Sequence, residues 1–531
     1  MTEVHENILP SEYAEKVGLD YASQTSDTYK KEKGQFFTSR SIAHFMASLA
    51  QPRSGHISIL DPGCGLGILC CSLIEYLVKK DLIQKIDLEL YETDLAVCTH
   101  TKEVISYLGH WLHKQGIELN SILHKEDFIL ANSTAFMPQS LFGSQQIKKF
   151  DYIISNPPYF KISKSDQRAQ IAEELVYGQP NIYALFMGLS SKLLNQMGEL
   201  VVITPRSFAA GNYFQAFRKV FFNEVSITDI HIFESRNKMF KRDNVLQENI
   251  IIKATRKRSA NINLSVSESE ADLSDSSTSV YKTEELIDQS SKEKILFIPS
   301  NSDEAETIQL FRNWKSSLND YNIQISTGPV VAFRCEDYLV SDFSEEANLI
   351  PLLWLHNIKE MEFIFPLRKG EKPCYIQNSD EARKVLLKNK NYILIRRFSS
   401  KEDKSRLICA PYFESQTNSD WIGLENHLNY IHRPNGELSE DEVWGISALF
   451  NSSLFDTYFR TFNGNTQVGA SELKQIKMPP HQSIIEIGQA VKKIENPRRN
   501  DIDKIINNTL LLKYYDQNRR SSGDFARIGV A

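Results

Sequence analysis

The stretch ISILDPGCGLGILCCSLIEYL, residues 57 to 77, carries three local patterns in one run. Ile57 to Leu60 is a short apolar run of strand type, Asp61 to Gly67 is glycine-rich, and Ile68 to Leu77 has apolar residues at helical spacing. A glycine turn between strand and helix lets the backbone approach a ligand closely, and the first turn of the helix offers unpaired N–H groups. Such a loop favours a nucleotide-like ligand. Its glycines, Gly63, Gly65 and Gly67, are spaced G-x-G-x-G, which departs from the G-x-G-x-x-G dinucleotide fingerprint and argues against an NAD-dependent oxidoreductase. Taken alone, the loop is also compatible with a plain strand-to-helix turn.

The flanking sequence continues the alternation. Upstream, GQFFTS (Gly34 to Ser39) reads as extended and Ser41 to Ala50 as an amphipathic helix. Downstream, the strand-like run Ile86 to Tyr91 is followed by Glu92 and Asp94, and a helical stretch leads to ILHKEDFIL at Ile122 to Leu130. Phe150 to Ser155 is strand-like and runs straight into Asn156-Pro157-Pro158-Tyr159; IYALFMGLSSKLL then reads as a buried helix and Gly198 to Pro205 as a strand. Alternating strands and helices predict a mostly parallel sheet covered on both faces. Between Ser265 and Ser279, seven serines and four acids with no Lys or Arg suggest a solvated loop or linker, placed within 259–292. A second, mixed α+β block is expected from about Ile295, and two helix-like stretches follow from His481.

A chain of 531 residues is expected to form two domains of roughly 200 to 300 residues each. With 41% hydrophobic and 24% charged residues there is ample material for packed cores. Lys plus Arg number 61 against 67 Asp plus Glu, so a polyanion-binding surface has to be a local patch. The seven cysteines show no CxxC pairing and no His-rich spacing, which predicts reduced thiols and no metal site. No apolar run approaches membrane-span length and the first residues lack a signal-peptide pattern, so no membrane association and a cytoplasmic location are expected.

Chemistry concentrates at the predicted strand ends. A carboxylate such as Glu92 at the carboxyl edge of a parallel sheet can accept two hydrogen bonds from a ribose diol. Asp127 beside Phe128 can bind an adenine amine and cover the ring face. Glycine loop, ribose acid and adenine acid at successive strand ends describe one adenosine-shaped site. In Asn156-Pro157-Pro158-Tyr159 the prolines stiffen the turn, so the Asn156 side-chain oxygen and the Pro157 carbonyl can face one amino group, with Tyr159 as a stacking surface. Accepting both amine protons favours a pyramidal nitrogen whose lone pair is freed for attack.

In this order, GQFFTS, DPGCGLG, Glu92-Thr93-Asp94, Asp127-Phe128 and NPPY resemble the motif series of gamma-class DNA N6-adenine methyltransferases of type II restriction-modification systems, over about residues 30 to 255. STGPVVAFR, IPLLWLHNI, NYILIRRFSS and FRTFNGNTQV extend the resemblance, as a target-recognition half, to about residue 480. The resemblance implies a Rossmann-like methyltransferase sheet and S-adenosylmethionine as methyl donor. It implies a catalytic domain over 1–294, a DNA target-recognition domain over 295–480 and a helical C-terminal tail over 481–531. Thr38, Asp61, Gly63 and Gly65 would border the methionine part, Glu92 the ribose, and Asp127 with Phe128 the adenine of the cofactor. Asn156, Pro157 and Tyr159 would hold the target adenine, with Phe240 on its other face and Phe233 as the competing aromatic.

A base inside a duplex is out of reach of such a pocket, so it must be rotated out of the stack and double-stranded DNA is the implied partner. Arg236, Lys238, Lys241 and Arg242 flank the proposed aromatic, and seven cations against two acids lie between Lys388 and Arg406, with Arg396 and Arg397 as candidate phosphate contacts. Asn463, Asn465, Thr466 and Gln467 form an amide-rich turn; Asn465 and Gln467 are candidates for base-edge contact. A protein glutamine methyltransferase would also use NPPY but would not need the long basic second half, and a non-enzymatic DNA-binding protein would not need the loop and NPPY together. With about 33 residues ahead of the first motif and no nuclease-like acid and lysine set, a cognate restriction endonuclease is expected as a separate chain.

Overall fold

The computed structural model describes residues 8–26, 28–29, 38–80, 82–137, 147–233, 248–289, 291–341, 348–367, 372–399, 403–464 and 467–511. The chain divides into two compact units, Met1–Ser300 and Asn301–Ala531.

The first unit is built on a nine-stranded sheet in the order β3-β2-β1-β4-β5-β7-β6-β8-β9. Its strands are β1 (Gly55–Pro62), β2 (Ile83–Tyr91), β3 (Glu118–His124), β4 (Phe150–Ser155), β5 (Leu194–Pro205), β6 (Ser226–Phe233), β7 (Asn249–Thr255), β8 (Asn261–Ser267) and β9 (Ser277–Lys282). The first five run parallel, and β7 runs antiparallel between β5 and β6. From β1 the order leaves in one direction to β2 and β3 and in the other to β4 and β5. This reversal opens a crevice at the carboxyl ends of β1 and β4, where ligands bind in open α/β sheets.

Helices α1 (Pro10–Gln24), α2 (Arg40–Ser48), α3 (Ile68–Lys80) and α4 (Leu95–His113) cover one face; α5 (Ile182–Lys192) and α6 (Gln215–Glu224) cover the other. The central strands are apolar at nearly every position because both faces are covered. Ile154, Ile203 and Ile251 point toward α1 to α4, whereas Ile153, Val202 and Ile252 point toward α5 and α6. Ser39 caps α2 and Asp94 caps α4, which fixes the residues just before each helix.

The serine-rich stretch is not a linker. Residues 261–282 form β8 and β9, a hairpin at the sheet edge, with Ile262 and Leu264 in the core and Asn261, Asn263 and most of β9 facing solvent. Composition misled here because an edge strand tolerates a polar row that a central strand does not. The apolar run near Ile295 likewise closes the first unit instead of opening the second: Leu296 and Ile298 are fully buried in its core.

The second unit holds a four-stranded antiparallel sheet (Gln324–Thr327, Leu428–His432, Tyr392–Arg396 and Cys409–Tyr412) and a five-stranded mixed sheet. The helix His481–Val491 is part of this unit: it crosses Glu440–Asn451 at Gly445 and Gly488, where an added methyl group would collide with the facing backbone. Among the described residues no helix is long and apolar enough to cross a membrane. All seven cysteines are buried.

Candidate active site

The loop after β1 turns through three left-handed residues, Gly63 (φ 71°), Gly65 (φ 53°) and Gly67 (φ 82°). A side chain is strained in that region, which is why glycine occupies it. Space is not the constraint at Gly63, where a Cβ would sit in ordinary contact, 3.4 Å from Phe186 and 3.9 Å from Pro158. The loop and the NPPY turn are thus neighbours. Hydrogen bonds fasten the strand ends together: Ser155 Oγ donates to the Pro62 carbonyl (2.9 Å), the Cys64 amide to the Tyr91 carbonyl (2.9 Å), Thr101 Oγ1 to the Gly65 carbonyl (2.7 Å) and the Glu92 amide to the His124 carbonyl (3.1 Å). No sequence signal marked Ser155 or Thr101, because their roles depend on which strands are adjacent.

Asp61 is the penultimate residue of β1 and is fully buried. Its Oδ2 accepts from the Cys70 amide at 3.3 Å, whereas Oδ1 has no hydrogen-bond partner. Burial dominates its titration and pushes its pKa up to about 7, with the Cys70 hydrogen bonds opposing. Glu92 follows β2 and stays half-buried; one oxygen accepts from the amides of Thr93 and Asp94 at 2.8 Å each. Burial raises its pKa against those amides. Asp127 Oδ1 caps the short turn Phe128–Ala131 through the amides of Ile129 and Leu130, while Oδ2 faces Arg168 at 3.4 Å. Arg168, unmarked in the sequence, is also paired with Asp166 at 2.6 Å.

Phe128 departs from expectation. Its ring is 1% exposed and packs against Tyr91 and Phe186, so it belongs to the core under the site and offers no open face. Phe128→Ala is expected to destabilise the protein by about 3–5 kcal/mol through the cavity it leaves. A urea titration checks this.

Asn156 lies at the end of β4, and its carboxamide is tied at both ends. Nδ2 donates to Thr38 Oγ1 at 3.1 Å, and Oδ1 accepts from the Tyr159 hydroxyl at 2.5 Å. That hydroxyl also lies 3.0 Å from the Ile203 carbonyl of β5. Burial raises the Tyr159 pKa strongly, so the phenol stays protonated and acts as a donor. Pro157 is buried and Thr38 is 7% exposed. The structure therefore brings Thr38, Asp61, Gly63, Gly65, Glu92, Asn156, Pro157 and Tyr159 to one sheet edge. Phe240 and Lys241 lie outside the described residues, as do the neighbouring Arg236, Lys238 and Arg242.

The basic run in the second unit divides by environment. Arg406 is 2% exposed and bonds the Ser399 carbonyl and Asn463 Oδ1, so it is a structural residue. Asn463 is buried as well, also donating to Glu472, which withdraws it from any base edge. Arg396 and Arg397 are half-buried, held by the carbonyls of Ile358 (2.7 Å) and Asn426 (3.0 Å). Gln467 is exposed; Asn465 lies outside the described residues. Among the described residues no group of three or more His, Cys, Asp or Glu could hold a metal ion.

Residues 69–240 match the family described as Eco57I restriction-modification methylase. The chain is 33% identical over 490 residues to the Type II methyltransferase M.BsuBI of Bacillus subtilis, covering 91% of this chain and 95% of that one. It is 30% identical over 492 residues to the Type II methyltransferase M.PstI of Providencia stuartii, covering 92% and 95%. The solved structure of the Type IIL restriction-modification enzyme MmeI in complex with DNA aligns over 97% of this chain and 74% of that one, at 12% identity and a TM-score of 0.49. With two relatives at this identity matched along nearly their whole length, the chain belongs to the type II DNA methyltransferases of restriction-modification systems.

Proposed function

We propose that the protein transfers the methyl group of S-adenosylmethionine to N6 of an adenine rotated out of duplex DNA, protecting that DNA from a restriction endonuclease carried on a separate chain. The observation that carries this reading is the Thr38–Asn156–Tyr159 chain of hydrogen bonds, set against the loop at Gly63. The residues fit the cofactor. Asp61 has a buried carboxylate oxygen with no partner, suited to a cationic ligand group; Gly63 and Gly65 follow it without side chains, and Glu92 sets a carboxylate at the next strand end, where it can meet a ribose hydroxyl. When bound, S-adenosylmethionine supplies an electrophilic methyl group.

The protein's own task is positioning and charge stabilisation. A carboxamide oxygen can accept two hydrogen bonds, so Asn156 Oδ1, already bonded to Tyr159, can take one proton of the base amine while the Pro157 carbonyl takes the other. Both acceptors gain strength as the nitrogen becomes tetrahedral and positive. None of Asn156, Pro157 and Tyr159 is an ionised base, so proton loss follows methyl transfer and does not precede it. Tyr159, its hydroxyl anchored between Asn156 and Ile203, presents a ring of fixed orientation for stacking.

On the same reading the second unit determines which sequence is methylated. Replacing Arg396 and Arg397 by Gln is expected to weaken binding to all duplexes and to lessen its salt dependence, as loss of phosphate contacts does. Filter binding across a salt series checks this, and a change confined to one sequence contradicts a phosphate role. The proposal as a whole is tested by sequencing modified bases in the DNA of a host expressing the protein. N6-methyladenine at a fixed place in one recurring duplex sequence is expected, and its absence overturns the proposal.

A further inference from the structure

Asn249 opens β7, the strand that runs antiparallel to β5. Because β7 is reversed, its first residue lies at the same sheet edge as the last residues of β4 and β5. The register pairs Asn249 with Pro205 and Ile251 with Ile203, whose carbonyl meets the Tyr159 hydroxyl. Strand alternation places the Asn249 side chain on the face of Ile251, the face covered by α1 to α4. Asn156, two residues after Ile154, bonds Thr38 on that same side. From Asn156 to Asn249 is two strand spacings across and two residues along, roughly 12 Å by standard sheet dimensions. That distance suits a purine with one side chain reaching each edge.

The Asn249 side chain is 1% exposed, and neither its Oδ1 nor its Nδ2 has a hydrogen-bond partner. A buried amide left unpaired is costly, so an unpaired one at a ligand crevice points to a partner that arrives with the ligand. Its backbone is fixed. The preceding Glu248 forms a buried ion pair with Arg206 at 2.9 Å, the Arg206 amide bonds the Glu248 carbonyl at 2.7 Å, and Arg206 also bonds the Ile298 carbonyl. Asn249 is thus held on a rigid strand end with a donor and an acceptor to offer.

We propose that Asn249 is a recognition residue for the flipped base, its Nδ2 donating to a ring nitrogen of the adenine whose amine Asn156 and Pro157 receive. This rests on the proposed function. Where that nitrogen is N3 or N7 it adds selection for the purine ring, since the amine with its neighbouring ring nitrogen is common to adenine and cytosine.

The test uses the full chain, Asn249→Leu and the isosteric Asn249→Asp, on duplexes carrying adenine, 1-deazaadenine, 3-deazaadenine or 7-deazaadenine at the methylated position. The wild type is expected to lose tenfold or more in kcat/KM on one of the three analogues. Asn249→Leu should show that same loss on adenine itself and no further loss on that analogue, with unchanged cofactor affinity and no fall in the ligand-free Tm. Asn249→Asp, which lacks the donor, should lose at least as much on adenine. Wild-type kcat/KM in Asn249→Leu, the wild-type analogue pattern retained in either variant, or a wild type indifferent to all three analogues overturns the inference. If the wild type instead methylates a base other than adenine, the underlying function has failed, and this outcome is separate from the analogue pattern.

Discussion

Asn156→Ala is expected to cut the single-turnover rate of methyl transfer by on the order of a hundredfold or more, while affinity for S-adenosylmethionine stays nearly unchanged. The oxygen that is lost would accept from the base amine, and its contribution is greatest when that nitrogen carries developing positive charge. The structure adds a condition to this. The Asn156 oxygen also receives the Tyr159 hydroxyl, and its nitrogen is tied to Thr38, so the carboxamide enters the reaction already oriented. Tyr159→Phe keeps the ring but releases both Asn156 and the Ile203 carbonyl, and is expected to lower the rate less than Asn156→Ala does. Tyr159→Ala also removes the stacking face, worth about 1–3 kcal/mol, and should mainly weaken capture of the base. Rapid-quench single-turnover assays with saturating enzyme separate these effects. A full rate in Asn156→Ala means that NPPY is not the active site.

Asp61→Asn is expected to stabilise the ligand-free protein at pH 8 and to weaken cofactor binding at least tenfold. Burial lifts the folded-state pKa of Asp61 to about 7, above the ordinary carboxylate value near 4. A raised folded pKa means that the contribution of Asp61 to stability is fully present below about pH 4 and is lost as pH rises through about 7. A shift of this size corresponds to on the order of 3 to 4 kcal/mol at pH 8. The neutral amide does not titrate, so the variant should gain on the wild type as pH rises from 4 to 8 and show little gain at pH 4. A cationic ligand group beside Asp61 favours the carboxylate, so binding near pH 6.5 should release a proton and give a buffer-dependent calorimetric enthalpy. Thermal unfolding from pH 4 to pH 8 and titrations in two buffers measure both effects. An Asp61→Asn variant that binds the cofactor as the wild type does would show that the orphaned oxygen serves another purpose.

Most of the residues proposed for the site could be picked out in the sequence because they sit at strand ends, where short motifs mark position. The glycines at 63, 65 and 67 all adopt the left-handed backbone that glycine permits, and Asn156 and Tyr159 meet at the Asn-Pro-Pro-Tyr turn. What stayed hidden was pairing. β7 returns antiparallel from a distant part of the chain, so nothing in the sequence around Asn249 shows that it shares an edge with Asn156. Arg168 facing Asp127 is invisible for the same reason. Phe128 is buried, and an aromatic next to a strand-end acid looks the same in sequence whether it covers a ligand or fills the core beneath it. The edge hairpin β8–β9 reads in the sequence as a solvated loop or linker because serine and acid richness reports solvent exposure and not the absence of strand pairing. Likewise Arg406 and Asn463 read as surface charge and surface amide, yet they bond to each other in the core of the second unit.

The most direct test of the account is to incubate the purified protein and duplex DNA with S-adenosylmethionine carrying a trideuterated methyl group, then to digest the DNA and identify the labelled nucleoside by mass spectrometry. Label is expected in N6-methyl-2′-deoxyadenosine, formed from duplex DNA without added metal and reduced at least a hundredfold in Asn156→Ala. Label found in a methylated cytosine or in protein glutamine, or no label transferred to DNA, would contradict it.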